Sequence, residues 1–166
     1  MFTLKTAGLF GRHSSALVRA CVLTVATLTF ALTAQRVSVT HGHETLVPAE
    51  KARPGDVLEY HAVYRNDGAK PVRELVATLP IPGGLEYLPS TAAPAVMLAS
   101  LDGAAFSPVP LMRKQRTADG REVLREVPSS EYRALRWSLG TLGARASRTV
   151  SARARVAPLA VATLTR

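Results

Sequence analysis

The sequence predicts an all-β chain, an antiparallel β-sandwich preceded by an N-terminal signal-peptide helix. Three observations carry that prediction. Past residue 35, short runs alternate apolar and polar side chains with a period of two, and clusters of Gly, Pro, Asn and Asp separate them. No segment there keeps a helical period over a dozen residues. At the start, Lys5, Arg12 and Arg19 precede an apolar run, residues 21–32, and no acidic residue occurs before Glu44. A basic start followed by a short apolar run is the pattern of an export signal. The run is shorter than the roughly 20 residues a bilayer-spanning helix needs. With Ala34 as the last residue removed, the expected division is signal peptide 1–34, sandwich 35–156 and C-terminal tail 157–166. Cys21, the only cysteine, leaves with the signal, so the remaining 132 residues form no disulfide and packing alone must hold them.

Taken in order, Val37 and Val39 alternate with Ser38 and Thr40 as a first short strand, and Thr45–Pro48 resumes it after His41-Gly42-His43-Glu44. Arg53-Pro54-Gly55-Asp56 fits a type II turn, with proline presetting φ and glycine supplying the positive φ that follows. Val57–Arg65 then places Leu58, Tyr60, Ala62 and Tyr64 on one face. Asn66-Asp67-Gly68 predicts a reversal into a return strand, residues 72–79, with Leu75, Ala77 and Leu79 on its apolar side. Pro80 ends that ladder because it has no N–H to donate. Leu85–Leu88 is short and extended. Val96, Leu98 and Ser100 alternate up to Asp102-Gly103, a two-residue hairpin signal with Ala104–Phe106 as the return. Residues 111–116 and 121–127 flank Asp119-Gly120 as a polar hairpin. Leu135, Trp137 and Leu139 form the next apolar face, and Gly140–Arg145 turns. In the last strand Val150, Ala152, Ala154 and Val156 alternate with Thr149, Ser151, Arg153 and Arg155, an apolar face backed by a cationic one.

The run Pro54-Gly55-Asp56, Tyr60, Asn66, Gly68, Leu79-Pro80, Gly84-Leu85, Tyr87 and Ser90 resembles the bacterial conserved-repeat domain of unknown function, number eleven of its series. The closing Trp137-Ser138-Leu139-Gly140-Thr141-Leu142 and the strand from Val150 to Val156 are similar to that domain's end. The resemblance covers about Val37 to Val156. It implies an immunoglobulin-like sandwich on exported or envelope-associated proteins, often in tandem copies, with no catalytic residues to carry over. This chain departs from the pattern in three ways. Ala77-Thr78 stands where an acidic residue usually precedes Leu-Pro, only one copy is present, and residues 96–131 are longer and more basic.

Charge is uneven. Residues 1–34 carry +3, residues 35–110 carry six Lys/Arg against eight Asp/Glu, and residues 111–166 carry twelve against four. A basic C-terminal half suits an anionic envelope polymer or lipid surface. Nucleic acid is not expected as a partner, because the basic half has few aromatic side chains to stack bases. No membrane span is expected after processing. His41 and His43, two apart on one strand face, could begin a metal site with Glu44 and His61, but exposed loop histidines are the expectation. No G-x-S-x-G elbow occurs, and the serines sit in turns or on outward positions. Lys51, Lys70 and Lys114 beside Asn66, the only asparagine, raise an isopeptide bond, but all three lysines fall at turns or edges. Trp137 is expected in the core rather than on a ligand. The expected function is a non-catalytic exported structural or binding module, holding a protein or an anionic polymer, with no cofactor and no metal. The alternative is an accessory protein that binds anionic polymer or lipid through an arginine-rich sheet face.

Overall fold

A computed structural model describes residues 21–25 and 28–158. Its strands are β1 (Cys21–Val25), β2 (Leu28–Thr40), β3 (His43–Pro48), β4 (Val57–Asn66), β5 (Val72–Pro80) and β6 (Leu85–Tyr87). They continue as β7 (Leu98–Ser100), β8 (Ser107–Pro108), β9 (Met112–Arg116), β10 (Glu122–Glu126), β11 (Ala134–Leu142) and β12 (Ser147–Val156). One 3-10 turn, Ser129–Glu131, precedes β11. Every ladder is antiparallel.

Two sheets face each other across one core, the arrangement of a β-sandwich. The larger runs β2–β4–β12–β6, and the outer edge of β2 is shared by β1 at residues 28–32 and β3 at residues 35–40. The smaller runs β5–β11–β7–β8, and β9–β10 is a separate two-stranded ribbon. Between the sheets the larger contributes Phe30, Ala62, Tyr64, Val150 and Ala152, and the smaller contributes Leu75, Ala77, Leu79, Leu135 and Trp137. The period-two faces predicted for β4, β5 and β12 are therefore the faces that are buried.

The expected N-terminal helix does not match the described residues. Cys21–Val25 and Leu28–Ala34 are extended, and the expected boundary at 34/35 falls inside β2. The reason is packing. Leu28, Phe30 and Ala34 alternate inward and are buried, while β2 pairs with β4 from Leu28↔Asn66 to Arg36↔Leu58. Val37 and Val39 are thus the far end of a 13-residue strand, not a separate one. The expected signal residues 1–20 and tail residues 159–166 lie outside the described residues. No helix among the described residues is long and apolar enough to cross a membrane.

A second correction concerns connectivity. β4 and β5 were expected to pair as a hairpin; they lie in opposite sheets. Both edges of β4 are already occupied, by β2 and by β12. The crossing is fixed by Asn66, which is fully buried. Its Nδ2 donates to the carbonyls of Lys70 (2.8 Å), Gly143 (2.9 Å) and Leu142 (3.3 Å), and Gly68 N–H donates to its Oδ1 at 3.0 Å. Asn66 N–H donates to the Ala146 carbonyl at 2.9 Å. One side chain thereby joins the two connections, 66–71 and 143–146, that carry the chain between sheets. Asn66→Ala removes the donor from the buried Leu142 contact and from the part-buried ones at Lys70 and Gly143, at about 1–3 kcal/mol for a buried group left unsatisfied and less where water can enter. We expect a loss of about 3 kcal/mol, read from denaturant unfolding; a midpoint unchanged within error contradicts this role.

Smaller differences have local causes. Near Asp102-Gly103 the loop spans residues 101–106, because β7 pairs with β8 at Leu98↔Pro108 and Ala99↔Ser107. Asp102 Oδ1 accepts from the N–H groups of Ala104 (2.8 Å) and Ala105 (2.9 Å), which opens the turn. The inward residues there are Met97 and Ala99, not Val96 and Leu98. Both phases of that run are apolar, so periodicity does not choose between them. β11 continues through Gly140 to Leu142, with Gly140 at φ +65 absorbing a bulge opposite Leu75.

Burial pushes the Tyr64 hydroxyl up to about 12 from 10.0. An acid whose folded pKa is raised contributes stability that is complete below its unfolded pKa and is lost as pH rises through the folded one. We therefore expect unfolding midpoints to fall between about pH 10 and 12, with Tyr64→Phe showing a shallower fall. Equal slopes for the two proteins contradict this assignment.

Candidate functional site

Three features, two on the larger sheet and one on two hairpins, present side chains that the core does not use. The first is a polar strap on the outer face. Arg153, Glu59 and His61 project outward from β12 and β4, one residue out of phase with buried Ala152, Ala154, Leu58 and Ala62. Arg153 Nε donates to Glu59 Oε2 at 2.6 Å and its Nη2 lies 2.9 Å from Glu44 Oε2. Hydrogen bonds to Glu44 and then Glu59 push the guanidinium's pKa up. His61 Nε2 is buried 2.8 Å from Glu59 Oε1, out of line for a hydrogen bond. Because Glu44 belongs to β3, the strap ties the far end of the β2–β3 hairpin to the sheet. The cationic face expected for β12 is thus neutralised at Arg153. On the smaller sheet, Arg136 lies 3.4 Å over the Phe106 ring, where the guanidinium meets the ring's negative face.

The second feature is an open cleft of about 420 Å³ lined by Arg36, Pro48, Glu50, Lys51, Arg53 and Asp56. Arg36 continues the inward face of β2 past the end of the core, and the polar connection after β3 closes over it. The turn Arg53–Asp56 holds this connection down. Asp56 N–H donates to the Arg53 carbonyl at 3.0 Å, Gly55 has φ +90, and Gly55 N–H donates to the Val156 carbonyl at 2.8 Å. Three cations and two carboxylates line the cleft, with a net charge of +1.

The third feature is exposed apolar surface on two hairpins. Val39 and Leu46 lie on one face of β2–β3, and Met112 and Leu124 on one face of β9–β10. The β9–β10 ribbon is anchored near its base, where Arg113 of β9 also donates to Glu131 at 2.5 Å. There Val127 N–H donates to the Leu111 carbonyl (2.8 Å), and Leu111 N–H donates to Tyr132 Oη (3.1 Å). Tyr132 stacks on Tyr87 with ring centroids 6.0 Å apart.

The residues weighed from sequence distribute as follows. His41 sits in the β2–β3 turn with φ +52, and His43 begins β3, so the two do not share a strand face as expected. Glu44 turns to Arg153 and His61 to Glu59. Among the described residues no group of three His, Cys, Asp or Glu side chains converges. Asn66 is buried with its amide on backbone carbonyls, whereas Lys51, Lys70 and Lys114 are exposed. Trp137 is 1% exposed, in the core as expected. Arg153 was expected on a solvated face; Glu59 two residues from His61 on β4 was the available signal for its partner. Nothing in the sequence pairs Glu44 with Arg153, because the contact depends on how β2 carries β3 across the sheet.

Comparison with protein-family models, with curated proteins and with solved structures finds no match. What the fold and these surfaces define is a class: an all-β chain of two packed antiparallel sheets, with hairpins at its periphery that present apolar and ionic side chains.

Proposed function

We propose that this chain is a non-catalytic binding or structural module of the bacterial cell envelope, exported and immunoglobulin-like. The observation that carries the reading is where its exposed large apolar side chains fall. Among the described residues, four of the seven exposed large apolar side chains, Val39, Leu46, Met112 and Leu124, sit on the β2–β3 and β9–β10 hairpins, and the other three, Val96, Leu101 and Val109, sit in the connections on either side of β7 and β8. Apolar side chains held out on hairpins cost solvation in the free protein and suit contact with a partner. The immunoglobulin-like assignment draws on the two-sheet arrangement, the cross-sheet connections at 66–71 and 143–146, and the order of motifs from Pro54 to Val156. Export draws on the basic, acid-free start before the apolar run. In this reading any processing ends before Leu28, since the sandwich uses the residues that follow.

The test is made in a bacterium expressing the full chain. We expect the protein in the envelope fraction, and a photo-crosslinking side chain at Val39 to trap an envelope component that the same group at Arg73 does not. Recovery only from the cytosol, or identical adducts at both positions, contradicts the reading.

A second reading, binding of an anionic polymer, is favoured by the cleft at Arg36, Lys51 and Arg53 rather than by the β12 face. Binding to an anionic polysaccharide should weaken with salt, and Arg36→Ala with Lys51→Ala should weaken it further. Salt-insensitive binding, or binding unaffected by both substitutions, removes this reading.

A further inference from the structure

The β9–β10 ribbon has no covering layer; within one chain Lys114 Nζ lies 3.6 Å from Glu122 Oε2, and Arg116 Nε donates to the Gly120 carbonyl at 3.2 Å. Two strands without a covering layer are marginal in water, yet here nine of ten residues are exposed, on both faces and both edges. The register places Met112 opposite Glu126, Lys114 opposite Leu124, and Arg116 opposite Glu122. Side chains of directly opposed residues share a face, so these six form one surface. Its β9 side carries Lys114 and Arg116; its β10 side carries Glu122 and Glu126. Met112 and Leu124, 52% and 63% exposed, lie diagonally between the charges. The net charge of the face is zero, with cations along one strand and carboxylates along the other.

A surface divided in this way is complementary to itself. A two-fold axis in the plane of contact, parallel to the strands, lays β9 of one copy over β10 of its mate. Arg116 then faces the mate's Glu122, Met112 faces the mate's Glu126, and Lys114 faces the mate's Leu124, with the two Leu124 side chains on either side of the axis. The other in-plane axis, perpendicular to the strands, lays β9 over β9 and sets cation against cation. We propose that this face is where a second copy of the chain docks, through the two-fold axis parallel to the strands. The proposal goes beyond the binding role above and does not depend on β2–β3 or on export. The ribbon is small, about 17 Å by 10 Å, against the roughly 800 Å² per partner of a standard interface. The dimer is therefore weak and reversible, at the low end of interface size.

The test uses the full chain with charge reversals on each strand. One variant carries Lys114→Glu and Arg116→Glu; the other carries Glu122→Lys and Glu126→Lys. Sedimentation over a concentration series should show the parent dimerising and each variant alone monomeric, since each then opposes like charges. An equimolar mixture of the two should dimerise again, because acidic strands now meet basic ones. Circular dichroism checks that both variants keep the sandwich. In a Cys21→Ser background, Leu124→Cys should form an intermolecular disulfide at least tenfold faster than Arg125→Cys, which lies on the opposite face. A parent that stays monomeric up to several hundred micromolar overturns the proposal. So does a mixture that fails to associate, or equal crosslinking at the two positions.

Discussion

A chain that begins at Gln35 will not fold. The loss has three parts. Leu28 and Phe30 are core residues, and truncating one large buried apolar side chain costs about 2–5 kcal/mol. The ladder from Leu28↔Asn66 to Ala34↔Tyr60 disappears, which bares the inner edge of β4 along most of its length. Thr29 Oγ1 no longer donates to Asp67 at 2.6 Å, so the corner after β4 loses its tie to the sheet. Whole domains are stable by only about 5–15 kcal/mol, so the combined loss exceeds what the remaining contacts supply. We expect the shortened chain to show no cooperative thermal transition and to aggregate through the exposed β4 edge. A cooperative melt within a few degrees of the full chain contradicts this.

Trp137→Ala is the largest single-residue effect we expect. Trp137 projects from β11 opposite Ala77 of β5, and a small neighbour leaves room for the indole. Its Nε1–H donates to the Pro94 carbonyl at 2.7 Å. The loop it reaches is itself bound to β12, with Ala93 and Ser151 exchanging backbone hydrogen bonds of 2.8 and 2.7 Å. The ring thus fills the core and holds the 91–94 segment against both sheets. Loss of the side chain costs about 3–5 kcal/mol, most of it cavity. Trp137→Phe separates the parts: it keeps most of the ring volume and removes the donor with two further ring atoms, at a cost of about 1–3 kcal/mol. Equal costs for the two substitutions contradict this division, and a negligible cost for Trp137→Ala contradicts its place in the core.

The inward faces of β4, β5, β11 and β12 were legible because apolar side chains recur at every second residue on one side, even though Val57, Val63 and Val76 interrupt the polar side. Which strand pairs with which was not. Asn66-Asp67-Gly68 gives the same local signal for a hairpin and for a crossing between sheets; the difference lies in the carbonyls of Leu142 and Gly143, 76 and 77 residues away. The start of the sandwich was masked by composition. Leu28–Leu32 is apolar apart from Thr29, which suits a signal segment and a buried strand equally, and only its ladder with β4 distinguishes them. The basic C-terminal half was legible as charge but not as surface. Arg153 is bound by two carboxylates, Arg113 reaches Glu131 at 2.5 Å, and Arg136 covers Phe106. The divided charge of β9–β10 was present in the sequence as alternation, yet it becomes a pattern only once the register sets Lys114 against Leu124.

Amide hydrogen exchange on the full-length chain tests the placement of β2 most directly. Peptides covering residues 28–36 should exchange as slowly as those covering β4 and β12, since all three are neighbouring strands of one sheet. Exchange of residues 28–36 at the rate of an unstructured peptide, while residues 57–66 remain protected, would contradict a sandwich that begins at Leu28.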